Sequence, residues 1–119
     1  MKKILFIFIF FISQGLYSDP KNIHLDVSLD SSNLTLNAHH YDYGSNTVAI
    51  ILHGMRGHRN MEIVNGIANN FIGLNIDSLI PNLSYGISSR NNDFLPCDIK
   101  HSHVNDNNIK EVMEWWRYA

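Results

Sequence analysis

Residues 48–57 read Val-Ala-Ile-Ile-Leu-His-Gly-Met-Arg-Gly, the strongest structural signal in the sequence. Residues 48–52 form a continuous apolar run, which is typical of a strand covered on both faces in a parallel or mixed sheet. His53 then begins a His-Gly-x-x-Gly segment. Gly54 and Gly57 would let the chain turn sharply and approach a ligand closely. The stretch therefore predicts a buried strand that runs into a tight turn.

The residues before this run predict an antiparallel hairpin. Apolar and polar side chains alternate over residues 23–29 and again over residues 34–41, which indicates two half-buried strands. Residues 30–33 (Asp-Ser-Ser-Asn) lie between them and are typical turn residues. A short polar turn between two such strands favours their antiparallel pairing.

The residues after the run predict a helix, a strand and a second helix. Residues 64–72 carry apolar side chains at helical spacing, with Asn60 as the expected N-cap and Gly73 as the stop. Residues 76–80 predict a strand that Pro81 ends. The order hairpin, strand, helix, strand, helix predicts an α/β fold with parallel strands after the hairpin.

The final helix is predicted from an apolar stripe at its spacing. We expect Trp116 to belong to the core stripe and Trp115 to point partly away from it. Asn108 and Glu111 have the spacing of a capping box. The stripe itself comprises Ile109, Val112, Met113 and Trp116.

The sequence stops directly after this stripe, with no strand following the second helix. We therefore expect an incomplete sheet, in which residues 19–119 are the N-terminal portion of a larger domain.

Length and composition exclude several classes of protein. The chain has 119 residues, of which 45% are apolar and 17% charged, so it can bury a core and is not of the disordered class. Its formal net charge of −2 provides no general attraction to nucleic acid or to anionic lipid. The sequence determines no oligomeric state.

Residues 1–18 have the order of a secretory signal peptide. Lys2 and Lys3 precede an unbroken apolar run over residues 4–12, and residues 13–18 are mostly polar. A helix over that run would rise about 13 Å, too little for a hydrocarbon core of about 30 Å. We expect cleavage near Ser18, export to the periplasm or the exterior, and no stable membrane insertion afterwards.

Residues 48–57 resemble the α/β-hydrolase fold family at the loop that follows its third strand. In that family this loop supplies a backbone N–H to the oxyanion hole. The resemblance implies that the Met55 N–H is such a donor and that His53, Gly54 and Gly57 shape the loop. It also implies a serine nucleophile acting on a small-molecule ester or related acyl substrate, with no cofactor.

A second segment adds to this resemblance. Residues 81–86 (Pro-Asn-Leu-Ser-Tyr-Gly) are similar to the strand end of many such hydrolases, and residues 83–90 with Cys97 and His101-Ser102-His103 resemble a group of exported bacterial hydrolase-like proteins. The side chains that this resemblance brings forward as lining a site are those of Ser84, Tyr85, Arg90, His101 and His103. Arg90 could also pair with Asp93 or Asp98, either to bind a substrate carboxylate or to stabilise the loop.

The catalytic groups of that family have no counterpart here. Its nucleophile lies in Gly-x-Ser-x-Gly on the strand after the second helix, and the sequence contains no such motif. We therefore predict no catalytic residue within residues 1–119. The alternative hypothesis is a small exported binding or interaction module without catalytic function.

A metal site is a further alternative that the sequence does not favour. His101 and His103, with Cys97 or Asp106, could converge on zinc, which accepts nitrogen, sulfur and oxygen ligands. The spacing Cys-x-x-x-His-x-His matches no strong zinc signature, so we predict no bound metal. Cys97 is the only cysteine, which excludes an internal disulfide and favours a free thiol.

Overall fold

The described part of the chain forms a four-stranded mixed sheet with two helices. The computed structural model describes residues 19–102 and 104–119, so the predicted signal peptide lies outside the described residues. Within these two ranges no helix is both long and apolar enough to cross a bilayer. The elements are β1 (Lys21–Leu29), β2 (Ser32–Tyr41), β3 (Val48–Ile50), α1 (Glu62–Ile72), β4 (Asp77–Asn82) and α2 (Asn105–Tyr118).

The strand order is β1-β2-β4-β3. β1 and β2 pair antiparallel, and the two residues between them, Asp30 and Ser31, have positive φ angles of 44° and 71°, as the favoured two-residue hairpin turns require. β4 pairs antiparallel with β2 and parallel with β3. The predicted α/β class is confirmed. Because β3 and β4 are parallel, the segments that follow them leave the sheet at the same edge.

The two helices cover opposite faces of the sheet. Trp115 of α2 belongs to a core cluster with Leu36, Ala38 and Leu79. On the other face, Val64 and Ala68 of α1 belong to a cluster with Ile51 and Ile80. Successive strand residues point to opposite faces, so Leu79 of β4 belongs to the cluster with Trp115 and Ile80 to the cluster with Val64 and Ala68.

The strand predicted over residues 48–52 is shorter and less buried in the structure, although its side chains do reach the clusters on both faces of the sheet. β3 has three residues, all of them half-buried, and Leu52 is 45% exposed. The reason is that β3 pairs only with β4 in the described sheet, so one of its edges has no neighbour there. Pro81 does not end β4 either, since it lies inside the strand opposite Ala38. The Ile51 N–H donates to the Leu79 carbonyl, and the next bond of this parallel ladder would need an N–H at residue 81, which proline lacks, so the pairing with β3 stops at Leu79.

Both helices begin at positions other than those predicted. Met61, and not Asn60, is the N-cap of α1, and it makes no side-chain cap bond. α2 begins at Asn105, so Asn108 and Glu111 lie within the helix and form no capping box.

The predicted core face of α2 is also wrong. Trp115 is fully buried and Trp116 is 75% exposed, the reverse of the prediction. Ile109 and Met113 of the predicted stripe are exposed as well. The physical reason is that the side of α2 facing the sheet carries Glu111, which bonds to the segment after β4 and turns Trp115 inward with it.

Candidate functional site

Two segments meet at the edge of the sheet where β3 and β4 end. We define the β3 turn as residues 53–57 and the β4 segment as residues 83–96. Ligand sites of open α/β sheets lie beyond the carboxyl ends of the strands, which makes this edge the place to look for one. Several hydrogen bonds between the two segments involve main-chain atoms.

His53 links the two segments through its ring. The Leu83 N–H donates to His53 Nε2 at 3.0 Å, so Nε2 carries no proton. Nδ1 therefore carries it and donates to the Gly54 carbonyl at 2.9 Å. Burial lowers the pKa of His53, and the hydrogen bond to Gly54 opposes that shift. The arrangement fixes a neutral histidine that shapes the turn.

The β3 turn closes through its own main chain. The Gly57 N–H donates to the Gly54 carbonyl at 3.0 Å. The residue with a positive φ, 62°, is Arg56, so the turn does not use the conformational freedom that we expected of Gly54 and Gly57. Gly57 is needed for space instead, because a Cβ there would lie 2.6 Å from the Met61 sulfur and 3.1 Å from the Gly54 carbonyl oxygen.

Leu95 of the β4 segment bonds to both the main chain and the side chain of Arg56. The Leu95 N–H donates to the Arg56 carbonyl at 2.9 Å, and Arg56 Nε donates to the Leu95 carbonyl at 2.8 Å. Burial raises the pKa of the Tyr85 phenol, and a backbone hydrogen bond from Arg56 opposes that shift. Met55, just before Arg56, is 79% exposed. Its N–H donates to no acceptor in the described residues.

The Ser84 side chain is buried and does not line the site as a free hydroxyl. It is 1% exposed, and its hydroxyl donates to one carboxylate oxygen of Glu111, while its N–H donates to the other at 3.0 Å. The hydroxyl oxygen in turn accepts the Gly86 N–H at 3.1 Å. Burial raises the pKa of Glu111, and the two bonds from Ser84 oppose that shift. Ser84 thus ties the β4 segment to α2 through a residue that the sequence pattern assigned to a helix cap.

Arg90 is buried and makes no ion pair with Asp93 or Asp98 in the described structure. Its guanidinium donates to backbone carbonyls, among them those of Leu83 and Gly57. Asn82, which the sequence did not single out, donates to the Arg90 and Asn91 carbonyls at 3.0 and 2.8 Å. The sequence feature that could have indicated Asn82 is its position as a polar residue directly after Pro81.

A largely apolar cavity of 350 Å³ lies beside the two segments. It is in the lower part of the size range of small-molecule sites. Two of its lining residues, Arg90 and Leu95, bond directly to the β3 turn. The apolar part of the lining comes from Ile87, Phe94, Leu95, Pro96 and Ile99.

Of the remaining candidates, His101 and Cys97 lie among the described residues. The His101 ring bonds to the Ile99 carbonyl, and His103 lies outside the described residues. Cys97 is exposed and free. The part of the chain that the structure describes contains no group of three or more His, Cys, Asp or Glu side chains arranged to hold a metal ion.

Comparison with known proteins gives a weak likeness in fold. No family model and no curated protein matches the chain. Among solved structures, the PEG-bound complex of a novel cold-adapted esterase from an Arctic intertidal metagenomic library is similar, with a TM-score of 0.45 and 14% identity. The match covers 67% of this chain and 34% of the esterase, so the chain spans about a third of that protein's length. The likeness concerns the fold alone.

Proposed function

We propose that the chain is the N-terminal part of an exported α/β-hydrolase-like protein. Its full-length form would hydrolyse a small-molecule ester or related acyl substrate through a serine nucleophile that residues 1–119 do not supply. The observation that supports this most is the N–H of the exposed residue Met55, which has no acceptor among the described residues and lies in a turn held by its neighbours. That turn joins β3 to α1, the position at which such proteins supply an oxyanion-hole donor.

In this proposal Met55 acts through its main chain. Acyl transfer places negative charge on the substrate carbonyl oxygen, and a donor already in position stabilises that charge without reorganising. His53 acts as a shaping residue and not as a base, because its Nε2 already accepts the Leu83 N–H. Ser84 is unsuited to be the nucleophile, because it is buried and its hydroxyl donates to Glu111.

Export is part of the same proposal. It is supported by the lysines and the apolar run of residues 1–18. N-terminal sequencing of the protein recovered outside the cytoplasm should give a first residue close to Asp19. Recovery of an intact Met1 from the periplasm or medium would contradict cleavage.

The experiment begins with the coding sequence beyond Ala119. A Gly-x-Ser-x-Gly motif on the next predicted strand is expected, and a longer reading frame without it would contradict catalysis and favour the interaction module. In the longer protein, Met55→Pro removes the N–H, and kcat for a 4-nitrophenyl ester should fall by about 10²–10³-fold. Met55→Ala keeps the N–H and should retain near wild-type kcat. Equal activity of the two folded variants would exclude Met55 as a donor.

A further inference from the structure

Arg90 connects the β4 segment to the β3 turn. The residue is 4% exposed. Its Nη1 donates to the Leu83 carbonyl at 2.8 Å, and its Nη2 donates to the carbonyls of Gly57 and Asp93, the latter at 3.2 Å. All three acceptors are main-chain atoms. One planar group therefore holds the backbone of both segments at once.

The main chain of Arg90 is itself anchored to the sheet. Its carbonyl accepts the side-chain amide of Asn37 in β2 at 2.9 Å and that of Asn82 in β4 at 3.0 Å. Both asparagines are nearly fully buried. A continuous series of hydrogen bonds thus runs from the two central strands through Arg90 to the Gly57 carbonyl, two residues beyond Met55.

Burying a guanidinium is energetically unfavourable compared with burying an apolar side chain. Burying a cation costs several kcal/mol unless it is paired or fully hydrogen-bonded. Arg90 has no carboxylate within ion-pair distance among the described residues, and its charge lies 5.2 Å from the centre of the Tyr85 ring, which stabilises it in part. Only arginine presents a rigid fork of donors, and a lysine ammonium cannot reproduce that geometry.

We propose that Arg90 is a positioning residue that sets the direction of the Met55 N–H by fixing the Gly57 carbonyl and, through the Tyr85 ring, the Arg56 main chain. The inference rests on the proposed oxyanion role of the β3 turn. It adds that a residue of the β4 segment, distant in sequence, determines the geometry of that donor.

Hydrogen exchange of single amides in the whole chain tests the positioning. In Arg90→Lys, the amides of Arg56 and Gly57 should exchange roughly 10-fold faster or more than in the wild type, as for the loss of one charged hydrogen bond. Amides of the β1–β2 hairpin should change less than about 2-fold. Arg59→Lys is the matched control, because Arg59 is also buried but donates to the side chains of Asn92 and Asn22. Equal exchange of the turn in both variants would overturn the proposal.

A measurement on the wild-type chain covers the case in which Arg90→Lys does not fold. Bonds from both Nη atoms should prevent rotation of the guanidinium, so nitrogen-15 NMR should resolve separate Nη1 and Nη2 signals for Arg90. A single averaged signal would overturn the proposal.

Turnover of the longer protein separates this inference from the proposed function. Arg90→Lys should lower kcat with little change in KM, since the donor acts in the transition state. If Met55→Pro lowers kcat but Arg90→Lys leaves both kcat and exchange unchanged, the Arg90 inference fails alone. If Arg90→Lys frees the turn while Met55→Pro has no effect, the proposed function fails and the structural link through Arg90 stands.

Discussion

Replacing Trp115 with alanine removes the side chain that joins α2 to the sheet. Trp115 is fully buried against Leu36, Ala38 and Leu79. An aromatic side chain buries roughly 150–250 Å², which corresponds to about 4–6 kcal/mol at about 25 cal/mol per Å². The Trp115 Nε1 is buried without a partner in the described structure, and losing it returns about 1–3 kcal/mol. We therefore expect the free energy of unfolding to fall by about 3 kcal/mol, within the usual range for such truncations.

The neighbouring tryptophan provides the matched control. Trp116 is 75% exposed, so Trp116→Ala should change the free energy of unfolding by less than about 0.5 kcal/mol. Urea unfolding followed by far-ultraviolet circular dichroism suits both variants, because each lacks one of the two indole fluorophores. Trp115→Phe keeps a ring and removes the unpartnered N–H, so it should remain folded even if Trp115→Ala does not.

The comparison can refute the packing of α2. Adjacent helix residues point about 100° apart. If Trp116→Ala costs as much as Trp115→Ala, the two indoles must be equally buried, and the helix must be rotated by about half that angle from its described orientation. The bond between Ser84 and Glu111 would then also be wrong, since Glu111 lies on the same face as Trp115.

Two further predictions concern the β3 turn and the buried carboxylate. Gly57→Ala should destabilise the chain while Gly54→Ala should not, because a Cβ at Gly57 meets the Met61 sulfur and one at Gly54 meets nothing within 4 Å; equal thermal midpoints for the two variants would contradict this. Burial raises the pKa of Glu111 above its ordinary 4.5. The folded state is therefore favoured when Glu111 is protonated, and this contribution to the free energy of unfolding is fully present below pH 4.5 and is lost as the pH rises through the folded-state pKa. Urea unfolding between pH 4 and 8 should therefore show the wild type losing stability relative to Glu111→Gln, and a difference independent of pH would count against the buried carboxylate.

The class of the fold and most of its elements follow from local patterns in the sequence. Alternation over residues 23–29 and 34–41 predicts β1 and β2, and apolar side chains at Val64 and Ala68 have the spacing of α1. These patterns are readable because each element buries one face. The partial burial of β3 cannot be predicted from the sequence pattern, since it depends on which strands lie beside it.

The interior of the site depends on contacts between distant residues, which no local pattern contains. Glu111 looks like a surface or capping residue in a helix, yet it is buried because Ser84, 27 positions away, offers it two donors. Likewise Arg90 looked like one half of an ion pair, whereas its acceptors are carbonyls. The position of the turn at His53 is different, because an apolar run followed by His-Gly marks the end of a strand within the sequence itself, and the role of Met55 stays a prediction from the family resemblance.

The same contacts explain how α2 bears on a turn that it does not touch. Glu111 fixes the main chain and hydroxyl of Ser84, and the next residue, Tyr85, is joined to Arg56 by a backbone hydrogen bond. Tyr85 has a φ of 49°, a conformation that a non-glycine residue keeps only where its surroundings impose it. Loss of the Glu111 carboxylate would remove one of those constraints, while Arg90 would still hold the Gly57 carbonyl. The geometry of the β3 turn is therefore constrained by two sets of hydrogen bonds, one from α2 and one from the central strands. A variant that removes only one set should make the turn more mobile but leave it folded.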